Sequence, residues 1–249
     1  MTVAELDPIT ESRLYDSSKQ PRSVLIVIPA RMASTRFPGK PLTEINGKPL
    51  LWYVYERAKQ AMADRVLVTS PDKEIRDYCQ ANDIGFWPSS VAEPTGTHRC
   101  AAVLRQKRSM YDVVVEWQCD EPLVDPAYVD AAVKACGNPY SIVTLTAPQQ
   151  FDAMGDPNVV KVVCNHKRCL WFSRASRFGN MLHCGIYIYT APTLLELSQH
   201  WPTECSKDES LEQLTWLEAN YPIGYVGMPE LPPSVNVPED LEKIRPYLC

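Results

Sequence analysis

Val24-Leu25-Ile26-Val27-Ile28-Pro29-Ala30-Arg31-Met32-Ala33-Ser34-Thr35-Arg36-Phe37-Pro38-Gly39-Lys40 decides the fold of this chain. Its first five residues are apolar and largely β-branched, with no alternation of polarity. Such a run reads as a strand buried on both faces, the habit of parallel sheets. Proline, glycine and small side chains follow, so the strand must open into a loop that lasts to Pro41.

Working outward, the same alternation of short apolar runs and helical periods recurs. Leu50 to Met62 carries helical spacing, with Leu51, Val54, Tyr55 and Ala58 on one face. Strands are predicted at Arg65–Thr69, Ile84–Trp87, Val113–Trp117 and Ser141–Thr146. Helices are predicted at Asp72–Ala81, Thr97–Arg105 and Pro126–Ala135. This order predicts an α/β chain with a mostly parallel, doubly wound sheet and right-handed crossovers. In the second half, Val159–Val163, Leu170–Phe172 and Ile186–Tyr189 are strand-like and closer together. They are expected to form a smaller lobe, around residues 155–215, that closes over an acceptor and could serve dimerisation. A helix at Leu211–Leu217, a strand at Gly224–Met228 and a helix at Pro238–Ile244 complete the reading.

The 249 residues suit one large domain, residues 23–249, behind an N-terminal extension at 1–22. That extension is polar and lacks the basic and apolar regions of a signal peptide. No apolar run approaches the roughly 20 residues of a membrane helix, so no membrane partner is expected. A net charge of −5 argues against a nucleic-acid-binding face while leaving room for a local cationic pocket. Nine cysteines include no C-x-x-C pair, and Cys164 and Cys169 with His166 between them fall short of zinc-site spacing. Reduced thiols in a cytoplasm are the expected state.

Open parallel sheets bind ligands beyond the carboxyl ends of their strands. Two polar loops fall there. The first places Arg31, Arg36 and Lys40 among the small residues Ala30, Ala33, Ser34 and Gly39. Small side chains let backbone N–H groups approach a polyphosphate, and the cations offset its charge. Charge alone would favour a solvated basic loop; the position after a buried strand shifts the reading toward phosphate. The second loop is Gln118-Cys119-Asp120-Glu121-Pro122. Adjacent carboxylates at a strand end can hold Mg²⁺, although Asp-Glu-Pro alone reads equally as a turn or helix cap.

Taken together the loops are specific. Val27 through Leu42, with Thr95-Gly96-Thr97-His98-Arg99 and Gln118 through Pro122, resembles the 3-deoxy-manno-octulosonate (KDO) cytidylyltransferases. Val160-Lys161-Val162-Val163, Phe172-Ser173-Arg174-Ala175, His183 through Tyr187, Leu211 through Leu214 and Pro238 through Glu242 match in order. The resemblance implies transfer of CMP from CTP to a 2-keto sugar acid by a homodimer, with Mg²⁺ as cofactor. It implies that Ala30, Arg31, Ser34, Arg36, Lys40, Arg99 and Gln118 bind the nucleotide. It makes Lys40, Arg36 and Asp120 the catalytic group, with Asp120 and Asn236 on the metal. It gives Arg174, His183, Tyr187, Tyr189, Glu212 and Gln213 to the acceptor. Without it, His183 reads as a paired core histidine, and Tyr187 and Tyr189 as one face of a strand with core and pocket roles both open.

Four departures stand against the pattern. Cys119 replaces a glycine, His98 a glutamate and Asn236 an aspartate, and the segment between Arg174 and His183 is shortened. They leave open a different small acidic acceptor, such as a phosphonate, or a nucleotide-binding homologue without catalysis.

Overall fold

The computed structural model describes residues 22–34, 36–107, 110–149, 155–175 and 179–248. The N-terminal extension, apart from Arg22, therefore lies outside the described residues, as do Thr35 and part of the shortened segment before His183. Arg22 itself is docked. Its guanidinium donates to the carbonyls of Val133 and Lys134 at 3.2 and 3.1 Å and to that of Cys136.

The first half is built as predicted. Strand β1 is Val24–Pro29. A small hairpin of β2 (Glu44–Ile45) and β3 (Lys48–Pro49) leads into α1 (Leu50–Ala58). Then come β4 (Arg65–Ser70), α2 (Lys73–Ala81), β5 (Phe86–Pro88), α3 (Gly96–Lys107), β6 (Val113–Trp117), α4 (Pro126–Ala135) and β7 (Ile142–Pro148). The second half holds β8 (Lys161–Cys164), β9 (Cys169–Ser173) and β10 (Met181–Thr190). Three short helices follow, α5 (Ala191–Leu197), α6 (Glu204–Glu209) and α7 (Gln213–Glu218), then β11 (Ile223–Gly227) and α8 (Asp240–Ile244).

Nine strands form one sheet in the order β5-β4-β1-β6-β10-β7-β11-β9-β8. Strands β5, β4, β1 and β6 are parallel neighbours. Strand β10 runs antiparallel between β6 and β7, β11 lies parallel to β7, and β9 and β8 continue the same edge antiparallel. Along β1, Val24, Ile26 and Ile28 enter one core cluster with α1, α2 and α4 residues, while Leu25 and Val27 enter the other with α3 and α5 residues. Both faces are dry, which is why the strand is apolar without alternation. Each such side chain contributes about 1.5–3 kcal/mol by burial.

The chain adds strands from β1 outward to β4 and β5, then returns across β1 to lay down β6. The winding therefore reverses between β1 and β6, and the loops leaving those two strands bound the crevice. Strand β10 is longer than its predicted core, Ile186–Tyr189. A bulge between Cys184 and Tyr187 interrupts its pairing with β7, which hid its first half from a period-two reading. The predicted Pro238 helix starts at Asp240, because the Asp240 carboxylate accepts the Asn236 and Val237 N–H groups at 2.9 and 3.0 Å and holds Pro238 in a turn. All eight described cysteines are free and seven are buried, so they behave as small core residues.

Candidate active site

The two loops wall a cavity of about 830 Å³, within the roughly 300–1,000 Å³ range of small-molecule sites. The first loop is folded on itself by backbone bonds. Ala30 N–H reaches Thr69 O at 2.9 Å, and the N–H groups of Ser34 and Gly39 both donate to Met32 O at 2.9 Å. Met32 N–H donates to Asp72 Oδ2 at 2.7 Å. Gly39 sits at φ 76°, a left-handed conformation that costs any side chain, and turns the chain into a 3₁₀ helix at Lys40–Leu42. Ala30, Arg31, Ser34, Arg36 and Lys40 consequently line one cavity.

The second loop is set by Trp117. Its buried indole N–H donates to Glu121 O at 2.9 Å and closes a turn in which Glu121 N–H donates to Gln118 O at 3.1 Å. The Cys119 side chain joins the core beneath, where burial pushes its thiol up to about 12; it is no nucleophile at neutral pH. Gln118, Asp120 and Glu121 line the cavity. Lys40 Nζ ties the loops together, donating to Asp120 Oδ2 and to Val235 O, each at 2.9 Å. Val235 N–H in turn donates to Asp120 O at 2.9 Å. These bonds draw the following residue, Asn236, onto the same wall.

The opposite wall comes from the second half. Arg174 is held by its backbone N–H, which donates to Glu209 Oε2 at 2.6 Å, and by Nη1, which donates to Asn158 O at 3.1 Å. Beneath it lies Lys161, only 2% exposed, whose ammonium donates to the carbonyls of Asp156, Val159 and Arg174 at 2.9, 2.9 and 2.7 Å. Arg36 reaches across to Asn158 Oδ1 at 2.8 Å. On β10, His183 Nε2 lies 2.9 Å from Thr144 Oγ1, whose proton goes to Ile186 O at 2.7 Å. Nε2 therefore carries a proton and donates it to Thr144 Oγ1. Burial, and then the charge of Arg174, bring its pKa down to about 3. Tyr187 packs beside it with ring centroids 5.2 Å apart.

Thirteen of the fifteen residues singled out in the sequence line this cavity; Arg99 and Tyr189 do not. Arg99 turns inward and spends its guanidinium on Thr95 O and Glu93 O at 3.2 and 2.8 Å. Tyr189 is fully buried, with its hydroxyl donating to Glu116 Oε2 at 3.0 Å. Tyr187 and Tyr189 do share a face and stack at 6.2 Å, but only Tyr187 reaches the opening. Sequence reasoning gave no role to Glu116 or Lys161, and read Glu121 only as one of two adjacent carboxylates able to hold Mg²⁺. Glu121 Oε1 accepts the Gly185 N–H freed by the β10 bulge, at 3.0 Å. Its carboxyl is raised by burial and by the neighbouring Asp120. A side chain at Gly185 would press on Glu121 Oε1 at 3.3 Å. The available signal for Glu116 was a charge inside an otherwise apolar strand.

A cation-lined cavity at the winding reversal of a doubly wound sheet is the layout of a nucleotide-using transferase. Comparison with known proteins narrows the class. A family model described as cytidylyltransferase matches residues 25–223. The 3-deoxy-manno-octulosonate cytidylyltransferase of Polynucleobacter necessarius is 38% identical, covering 93% of this chain and 98% of the relative. The mitochondrial 3-deoxy-manno-octulosonate cytidylyltransferase of Arabidopsis thaliana is 36% identical, covering 92% and 84%. The solved structure of a CMP:2-keto-3-deoxy-manno-octonic acid synthetase complexed with CTP superposes with a TM-score of 0.81 at 31% identity, over 90% of this chain and 98% of that one. The protein is a nucleotidyltransferase. It belongs to the 3-deoxy-manno-octulosonate cytidylyltransferase family.

Proposed function

We propose that this protein transfers CMP from CTP to the anomeric hydroxyl of 3-deoxy-manno-octulosonate and releases pyrophosphate. The observation that carries the reading is one cavity with Arg31, Arg36 and Lys40 on one wall and Arg174, His183, Tyr187, Glu212 and Gln213 on the other. The hydroxyl oxygen forms a bond to the α-phosphorus. The bond from that phosphorus to the bridging oxygen breaks, pyrophosphate leaves with the electron pair, and the hydroxyl proton passes to solvent. Arg31, Ser34, Arg36 and Lys40 hold the triphosphate, and the cations stabilise charge developing on the leaving group. Arg174 pairs with the acceptor carboxylate. Neutral His183, Tyr187 and Gln213 offer hydrogen bonds without adding charge. The same reading gives a cytoplasmic homodimer serving lipopolysaccharide synthesis.

Mg²⁺ is the metal this reading requires, and the residues fit it. Asp120 supplies a carboxylate and Asn236 an amide oxygen on the same wall, Asn236 having turned its nitrogen to Ser234 Oγ at 2.9 Å. Among the described residues no group of three acidic, histidine or cysteine side chains could hold a metal. That suits Mg²⁺, which is bound by one or two carboxylates, waters and substrate phosphates. When bound, the ion would neutralise phosphate charge and lower the pKa of the attacking hydroxyl. The test is pyrophosphate release by purified protein supplied with Mg²⁺, each of the four nucleoside triphosphates and a panel of 2-keto sugar acids and phosphonates. Release is expected with CTP and 3-deoxy-manno-octulosonate. Release only with a different acid, or with none, overturns the reading.

A further inference from the structure

Glu116 lies on β6 with 0% exposure and takes no part in the cavity wall, yet it underlies two residues that do. Its Oε1 accepts from Gln118 Nε2 at 3.0 Å. Its Oε2 lies 3.0 Å from the Tyr189 hydroxyl and 3.1 Å from Thr97 Oγ1. Glu212 meets the same groups from above: Oε1 accepts from Gln118 Nε2 at 3.4 Å, and Oε2 accepts from Thr97 N–H at 3.2 Å and from Thr97 Oγ1 at 2.8 Å. Two carboxyl groups thus share Thr97 and Gln118. Space is tight: a Cβ on Gly96 would come 2.0 Å from Glu116 Oε1.

The protons decide the charge states. Thr97 has one hydroxyl proton for two carboxyl oxygens, and the shorter contact gives it to Glu212. If Glu116 were also ionised, its Oε2 would face the lone pairs of Thr97 Oγ1 at 3.1 Å with no proton between them. One added proton on Glu116 Oε2 removes the conflict. Tyr189 then donates to Glu116, Glu116 to Thr97 and Thr97 to Glu212, each donor meeting an acceptor. The Thr97 N–H at the start of α3 assigns the negative charge to Glu212, since a helix N-terminus favours an anion.

We propose that Glu116 is an uncharged positioning residue: protonated on Oε2, it completes the hydrogen-bond chain that fixes Gln118 and an ionised Glu212 on the cavity wall. Both hydrogens of the Gln118 amide nitrogen are then spent on the two carboxyls, which leaves its carbonyl oxygen for a bound molecule. At this place on the wall the Gln118 carbonyl oxygen and the Glu212 carboxylate are hydrogen-bond acceptors, a match for hydroxyl groups of a polyol. A second buried anion here would also repel a triphosphate and a keto acid. Burial, reinforced by the charge of Glu212, pushes the Glu116 carboxyl well above its usual range. The other groups within its field are Tyr187, Tyr189, Cys100 and Arg99. Burial raises the first three, so they stay neutral, and Arg99 is occupied by backbone carbonyls.

The test joins infrared spectroscopy to steady-state kinetics; only the kinetic arm rests on the proposed transfer, and wild-type inactivity would refute that transfer rather than this assignment. The wild-type minus E116Q difference spectrum at neutral pH is expected to contain the carbonyl stretch of a protonated carboxyl, a subtraction that removes any band from Glu121. E116A is expected to raise the acceptor KM about tenfold, on the scale of one or two lost hydrogen bonds, with little change in kcat. E116Q, neutral and of the same shape, donates from its amide nitrogen to Thr97 Oγ1 and leaves the Tyr189 hydroxyl to turn to Thr97 Oγ1, 3.2 Å away; it is expected to restore KM to within about twofold of wild type, where loss of a charged group would not be rescued. Absence of the acid band, or an E116Q as impaired as E116A, overturns the proposal. The infrared arm stands even if E116A does not fold.

Discussion

Replacing His183 by phenylalanine should remove a specific part of the acid sensitivity of this fold. His183 is held neutral, with its pKa brought down to about 3 by burial and then by Arg174, against about 6.5 in an unfolded chain. The unfolded chain therefore binds a proton that the folded one refuses. The stability tied to this group is complete above pH 6.5 and is lost as pH falls from there toward 3. Linkage makes the loss about 2 kcal/mol between pH 7.5 and pH 5. The raised carboxyls of Glu116 and Glu121 act in the opposite sense, so the wild-type profile alone does not isolate His183. The H183F variant does. Phenylalanine fits between Phe172 and Tyr187, whose rings lie 5.2 Å from the imidazole. Thr144 keeps its bond to Ile186 O, so the lost histidine contact costs the same at every pH. Urea unfolding of both proteins at the two pH values measures the difference. Wild type should lose about 2 kcal/mol more than the variant on acidification. Equal losses, within about 0.5 kcal/mol, would refute the neutral buried ring.

Three further outcomes follow from the cavity walls. Lys40→Met removes the cation that joins Asp120 to Val235, and kcat for CMP transfer should fall about 10²–10³-fold; a loss under threefold in a rapid-quench assay would place Lys40 outside the reaction. Asn236→Asp adds a charge beside Asp120, and titration with Mn²⁺ or Mg²⁺ should give a lower Kd; an unchanged Kd removes Asn236 from the metal. Gly96→Ala drives a methyl group into Glu116 Oε1, so the acceptor KM should rise while the far-ultraviolet dichroism spectrum is retained; an unchanged KM would show that the carboxyl pair moves freely.

The cationic loop after β1 was legible because its information is local. A dry strand, a glycine forced to positive φ and three cations lie within seventeen consecutive residues, and β6 repeats the arrangement with a turn locked by its own Trp117. The carboxyl pair was not legible in the same way. Glu116 meets Thr97 and Tyr189 at separations of 19 and 73 residues, and Lys161 caps carbonyls only once Arg174 has returned beside it. Periodicity placed Tyr187 and Tyr189 correctly on one face, but a face does not tell distance from the strand end; Tyr189 is one step too deep. Arg99 misled for a similar reason, since the residues around Thr97 reach the site while its own guanidinium finds carbonyls on the near side of α3. The β10 bulge hid the extent of the strand that carries His183.

The central claim is that the paired cavity walls join CMP to a 2-keto sugar acid. Phosphorus-31 magnetic resonance of the purified protein with CTP, Mg²⁺ and 3-deoxy-manno-octulosonate reads this directly. The expected spectrum shows the three CTP resonances decaying while a CMP phosphodiester and pyrophosphate appear in equal amounts. Persistence of CTP in the presence of acceptor, or formation of pyrophosphate without the phosphodiester, would contradict it.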